Sequence, residues 1–203
     1  MRLLPLLIII LGLSLYSWPL LSIEMNMSQE NINQKAMQNR IDFSNTNEAK
    51  NWVIVNDTVM GGRSKAQLTV DDNRLIFAGD LSLENNGGFA STRRIYDPVS
   101  WDSKRAIVIK VVGDGRSYQF RLRTNRNMDG VAYVANFKTQ KDTAHTIRFE
   151  LKDFSAQFRG RLVRGAPALQ FSDVAQMGFM LADKNPGSFV LQIEHIEQVK
   201  EVI

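Results

Sequence analysis

The sequence predicts an all-β domain, a β-sandwich or jelly roll, behind an N-terminal apolar segment that reads as a helix. Three observations carry this expectation. Short runs with apolar residues at every second position recur from residue 41 onward, the period of a strand with one buried face. Gly, Asn and Asp separate these runs, and their backbones and side chains suit tight turns. No stretch of three helical turns carries an apolar stripe of period 3.6, so no amphipathic helix competes for the core. About nine to eleven strands at this spacing point to a sandwich or jelly roll, with a closed barrel as the alternative. No repeat of about 20 to 50 residues is visible, which argues against a propeller or solenoid.

Taken in order, residues Leu3 to Ile23 carry no charged side chain and lie between Arg2 and Glu24. A positive start, a Leu- and Ile-rich run and a polar continuation make the order of a secretory signal peptide. The same segment would span ~30 Å as a helix, enough for a bilayer core, although Pro5, Gly12 and Pro19 interrupt a straight one. Residues 1–23 are therefore expected to be a signal peptide or a membrane anchor. Either places the rest of the chain outside the cytoplasm, in the periplasm or cell envelope, or tethered to the membrane by residues 3–23. Residues 24–40 are polar and rich in Asn and Gln, the composition of a flexible linker. The domain is expected over residues 41–199, with 200–203 as a tail.

Within the domain, Ile41-Asp42-Phe43 begins the alternation, Asn47 to Trp52 suits a short helical turn, and Val53-Ile54-Val55 a strand. Ser64 to Val70 and Arg74 to Ala78 flank Asp71-Asp72-Asn73 and read as a hairpin. Asp80 to Glu84 and Phe89 to Arg94 follow, joined through Asn85-Asn86-Gly87-Gly88. Ala106 to Val112 is almost continuously apolar, as a central strand would be. Tyr118, Phe120 and Leu122 alternate with Gln119, Arg121 and Arg123, a strand with one wet face. The period of two returns at Tyr133, Ala135 and Phe137, at Ile147, Phe149 and Leu151, at Met177, Phe179 and Leu181, and at Phe189, Leu191 and Ile193.

Composition narrows the functional classes. With 203 residues, 44% hydrophobic and 23% charged, the chain suits one ordinary domain with a substantial core. It has no cysteine, which removes disulfides, thiolate nucleophiles and thiolate metal sites. The 25 basic residues against 21 acidic leave a net charge of only +4. No block of five or more Lys or Arg is present, so a nucleic-acid partner is not expected.

Three glycine-centred segments stand out: Asn56 to Ser64 with Gly61-Gly62, Asn85 to Arg93 with Gly87-Gly88, and Gly113-Asp114-Gly115-Arg116-Ser117-Tyr118. Each pairs glycines with Asn or Asp, and turns between strands account for such composition without a ligand. Arg93 and Arg116 follow these turns. Their planar donor groups suit carboxylates or backbone carbonyls, so a ligand site and an internal network are both open.

The order WVIVNDTVMGGRS, F-x-G-x-L-S at Phe77 to Ser82, NNGGFASTR, GDGRSYQFRLR and MGFMLADKNPGSFVLQIEHI resembles the complex I intermediate-associated protein 30 family across residues 41 to 199. The resemblance implies a galactose-binding-like sandwich, related in fold to carbohydrate-binding modules, and, for the mitochondrial members, a role in assembling the membrane arm of respiratory NADH:ubiquinone oxidoreductase; for bacterial members it implies much less. It carries over Trp52, Asn56, Asp57, Met60 and Ser64, then Asn86, Phe89, Ser91, Arg93, Asp114, Arg116 and Tyr118. Of these, Asn56, Asp57, Asn86, Arg93, Asp114, Arg116 and Tyr118 are the candidate binding residues. Gly61, Gly62, Gly87, Gly88, Gly113 and Gly115 are the loop glycines. His145 stands where the family pattern leads us to expect a Trp.

Enzyme chemistry finds little support. Gly61-Gly62-Arg63-Ser64 lacks the flanking glycines of a nucleophile elbow. His145 and His195 lie in apparent strands, read as solvated, without a triad or zinc constellation. Gly113-x-Gly115 lacks the third glycine and following helix of a dinucleotide site. Asn56, Asp57, Asp71, Asp72 and Asp114 could offer oxygens to calcium, but acidic turn residues need no metal, and no metal or cofactor is assigned. The expected activity is non-enzymatic binding of a protein partner during assembly of a membrane complex. A carbohydrate-binding module is the alternative; it would need exposed aromatic rings, for which Trp101, Tyr96 and Tyr133 are the candidates. An envelope hydrolase, with two carboxylates across a cleft, comes third.

Overall fold

The computed structural model describes residues 40–95, 101–102 and 105–200. The expectations for residues 1–23, for the linker up to residue 39, for Tyr96 and for the last three residues lie outside them. Among the described residues no helix is long and apolar enough to cross a membrane.

The described chain is all-β, a sandwich of two antiparallel sheets. Its strands are β1 (Arg40–Asp42), β2 (Trp52–Asn56), β3 (Lys65–Asp71), β4 (Arg74–Leu81), β5 (Ala90–Arg94), β6 (Arg105–Gly113) and β7 (Ser117–Arg123). They continue with β8 (Ala132–Lys138), β9 (Thr143–Phe149), β10 (Ser155–Phe158), β11 (Arg161–Leu162), β12 (Gln176–Leu181) and β13 (Gly187–Lys200). One sheet is six-stranded, ordered β3-β4-β13-β6-β9, with β1 beside the second half of β13. The other is seven-stranded, ordered β11-β10-β8-β7-β12-β5-β2.

Local chemistry explains most boundaries. The β3–β4 hairpin turns on Asp72 and Asn73, both at positive φ (47° and 56°), as a two-residue turn that follows strand twist requires. Thr46–Asn51 forms the anticipated short turn, a 3₁₀ helix capped by the Asn45 side chain on the Asn47 N–H. The strand expected over Asp80 to Glu84 ends at Leu81, because Glu84–Asn86 closes into a 3₁₀ turn. The alternation expected to reach Leu151 stops at Phe149: the Glu150 N–H donates to Asp153 and a capped 3₁₀ turn, Leu151–Asp153, begins. The short β10–β11 hairpin was not anticipated; its turn places Arg159 and Gly160 at positive φ.

The sheets meet along the alternating apolar rows. Phe120 of β7 packs on Phe149 of β9 and Phe179 of β12 with ring centroids 5.4 and 5.3 Å apart, and Trp52 stacks on Phe179. Phe77 meets Phe189 edge-on at 4.9 Å. Strand β13 carries a bulge between Ile193 and His195. The extra residue resets the phase, so that Ile193 and Ile196 both reach the core. His195 is not solvated, as expected from sequence, but only 8% exposed, with Arg40 against its Nδ1 at 3.1 Å. Burial first, and the Arg40 charge second, push its pKa below the usual histidine value. His145 is half-buried and accepts the Gln140 N–H on Nε2.

Candidate functional site

The first two glycine-rich segments close around one carboxylate. Asp57 is fully buried, and its Oδ1 accepts the Ser64 N–H at 2.9 Å. Its Oδ2 accepts the Ser64 hydroxyl at 2.5 Å and the N–H groups of Gly88 and Phe89 at 2.7 and 3.2 Å. Glycine is needed for this approach: a Cβ on Gly62 would lie 2.4 Å from Asp57 Cγ, and one on Gly87 would lie 2.6 Å from Oδ2. Burial works against the charge, but the Ser64, Gly88 and Phe89 donors outweigh it and hold the carboxyl below its ordinary value. Asn86 is exposed at positive φ. Asn56 precedes Asp57 at the end of β2, with its Oδ1 buried and unpartnered.

The third segment builds a second node. Arg116 forks onto Asp183 at 2.7 and 3.0 Å, and its other donors reach the carbonyls of Gly187, Ser188 and Asn185. Asp114 accepts the Arg116 N–H, the Tyr118 hydroxyl and the Val190 N–H. Burial disfavours the Arg116 charge, yet Asp183 more than compensates and raises its pKa. Burial and then the Asp114 carboxylate push the Tyr118 phenol up. The β6–β7 turn is thereby tied to the loop between β12 and β13. Asp57, Asp114, Arg116 and Tyr118 thus make their polar contacts within the protein. Among the described residues, no group of three or more His, Asp or Glu is placed to hold a metal ion.

Arg93 lies elsewhere, on the outer face of the seven-stranded sheet. There β5, β12 and β7 run side by side, and Gly178 stands opposite both Arg93 and Arg121 while Gln176 stands opposite Arg123. With Ser91 these residues line a cleft. Arg93 donates to the Met128 carbonyl, Arg123 to those of Gly130 and Val131, and Arg121 to Gln119 Oε1 and the Met180 sulfur. Among the described residues, none of the three has a carboxylate within ion-pair distance; nearby Asp129 pairs with Arg159 at 2.8 Å. Burial first, then neighbouring guanidinium charge, pushes Arg121 and Arg123 down to about 10. Arg93 is lowered too, by burial. Gln176 is 2% exposed; its Nε2 donates to the Asn125 and Asn127 carbonyls and its Oε1 has no partner.

Sequence reasoning singled out Arg93 but not Arg121, Arg123 or Gln176. The signal was the polar phase of β7, but only strand order shows that it faces Arg93. Trp101 and Tyr133, expected to offer exposed rings, are 4% and 5% exposed, and the Tyr133 hydroxyl donates to the Pro167 carbonyl. Phe158 is the only exposed aromatic ring among the described residues, in the inward phase of β10 with Arg159 over it at 5.2 Å.

The described residues thus form a two-sheet sandwich with a cleft on one outer sheet face. It matches a family 11 carbohydrate-binding module from Clostridium thermocellum, solved with a β-1,3-1,4-mixed-linked tetrasaccharide. The TM-score is 0.56 at 14% identity, covering 81% of this chain and 98% of that one. The family 11 module of a Clostridium thermocellum cellulosomal cellulase matches at TM-score 0.55 and 15% identity, over 74% and 89% of the two chains. These likenesses concern the fold alone. By sequence the chain belongs to the complex I intermediate-associated protein 30 family, whose pattern matches residues 41–193. The mouse mitochondrial complex I intermediate-associated protein 30 is 26% identical over 182 residues, 76% of this chain. The match spans about half, 53%, of that relative.

Proposed function

We propose that this protein is a non-enzymatic binding module that docks on a protein partner and assists the assembly or stability of a membrane complex. The observation that carries this reading is the division of charge: the motif loops are closed by internal bonds, while on the outer face of the seven-stranded sheet three arginines line a cleft with no carboxylate of the described residues within ion-pair distance. Family membership supports a respiratory complex as the client, since the mouse relative is named for a complex I intermediate. On this reading residues 3–23 export the domain or tether it to the membrane where that complex is built. The carbohydrate alternative rests on the fold of its structural neighbours. It lacks an exposed aromatic platform for sugar stacking among the described residues of this face.

A photo-crosslinking residue in place of Met128, which is 50% exposed at the rim of the cleft, tests the proposal in native membranes. A second probe replaces Gln67, which is exposed on β3 of the other sheet. Mass spectrometry should find subunits of a membrane complex joined to position 128 and not to position 67. Equal capture at both positions, or none at either, sinks the docking reading and turns attention to glycans.

A further inference from the structure

We propose that the cleft between Arg93, Arg121 and Arg123 receives a carboxylate side chain from an acidic segment of the partner protein, with an N–H of that segment donating to Gln176 Oε1. This rests on the reading of the sheet face as the docking surface. Arg93 and Arg121 both stand opposite Gly178. Their Cα atoms are therefore two strand spacings apart, about 10 Å, with no side chain between them. Two guanidiniums reaching inward from that separation can share one carboxylate, and Arg123 sits one residue further along the same face. Among the described residues, only Nη1 of each of the three has an acceptor. Nε and Nη2, the edge that forks onto Asp183 in Arg116, stay available for a ligand.

The second observation is independent of charge. Gln176 Oε1 is a buried acceptor without a donor, and its amide orientation is set by the two carbonyls that Nε2 serves. A ligand made only of acceptor oxygens, such as a sulfate dianion, satisfies the arginines and leaves this atom orphaned. An amino-acid residue carries a carboxylate and an N–H donor a few bonds apart and satisfies both. Met128, whose carbonyl accepts from Arg93, is an exposed apolar residue next to it.

The test is fluorescence anisotropy of the full chain in detergent micelles with a fluorescein-labelled hexaglutamate peptide. Hexaglutamine serves as the neutral control, and oligogalacturonate and inorganic phosphate as competitors. Hexaglutamate should bind, hexaglutamine should not, and added salt should weaken the complex. Arg121→Met keeps the apolar stem and should reduce affinity about tenfold or more, and Arg93→Gln should do the same. Lys65→Gln, which removes an exposed charge from the opposite sheet, should leave it unchanged. Equal losses in the Lys65 and Arg121 variants, or displacement by oligogalacturonate or phosphate at lower concentration than unlabelled hexaglutamate, would overturn the proposal. Crosslinks from position 128 that survive both Arg121→Met and Arg93→Gln would overturn the carboxylate site while leaving the docking reading intact. Hexaglutamate binding without any partner crosslink would sink the docking reading and still support carboxylate recognition by the arginines.

Discussion

Arg116 and Arg121 bracket the first half of β7 and sit in opposite surroundings. Arg116 spends its donors on Asp183 and three carbonyls, and its charge is matched inside the fold. Arg121 faces Arg93 across Gly178 and has Arg123 two residues along its own strand, with an amide oxygen and a thioether sulfur as its protein acceptors. A guanidinium that is pinned at every edge closes loops; one that is packed but not neutralised is a surface held ready for an anion.

The same substitution at both positions should break this comparison open. Arg116→Met leaves Asp183 without its counter-charge at a site where both side chains are largely buried. It should cost about 3–5 kcal/mol, read as a fall in the urea midpoint at constant slope. Acid titration sharpens the same side. The carboxyls of Asp57 and Asp183 are held below their ordinary value of 3.8. Such groups contribute stability that is full above that value and lost as pH falls through the lower folded-state one. Denaturation midpoints of the wild type should therefore drop steeply on the acid side of 3.8, and Asp57→Asn should flatten that limb. An unchanged slope in the Asn variant would place the titration elsewhere. The smallest effect belongs to Arg121→Met, where lost charge repulsion offsets lost hydrogen bonds. Its midpoint should stay within about 0.5 kcal/mol of wild type, and a loss comparable to that of Arg116→Met would show Arg121 to be structural.

Residue order alone went far with the architecture. Tyr118, Phe120 and Leu122 repeat with the period of the strand they form, and Asp72-Asn73 turn because their backbones tolerate positive φ. These are local effects, readable from neighbours in the chain. The limits were equally physical. The β10–β11 hairpin went unseen because Ser155 to Leu162 is too short and too polar to show a period, and it exists because β8 offers it an edge to pair with. The bulge that buries His195 instead of solvating it is a property of pairing with β1 and β6.

What the sequence by itself determined is the fold class, the place of its turns and the family to which the blocks belong, since all three reside in local pattern and order. What only the tertiary structure decided is which charges face a protein partner group and which do not. Arg93 and Arg116 look alike in sequence, each following a glycine turn. Their difference is set by Asp183 arriving beside one and by β12 laying Gly178 beside the other, with Gln176 on the same strand and Arg121 of β7 beyond it, contacts made between strands far apart along the chain.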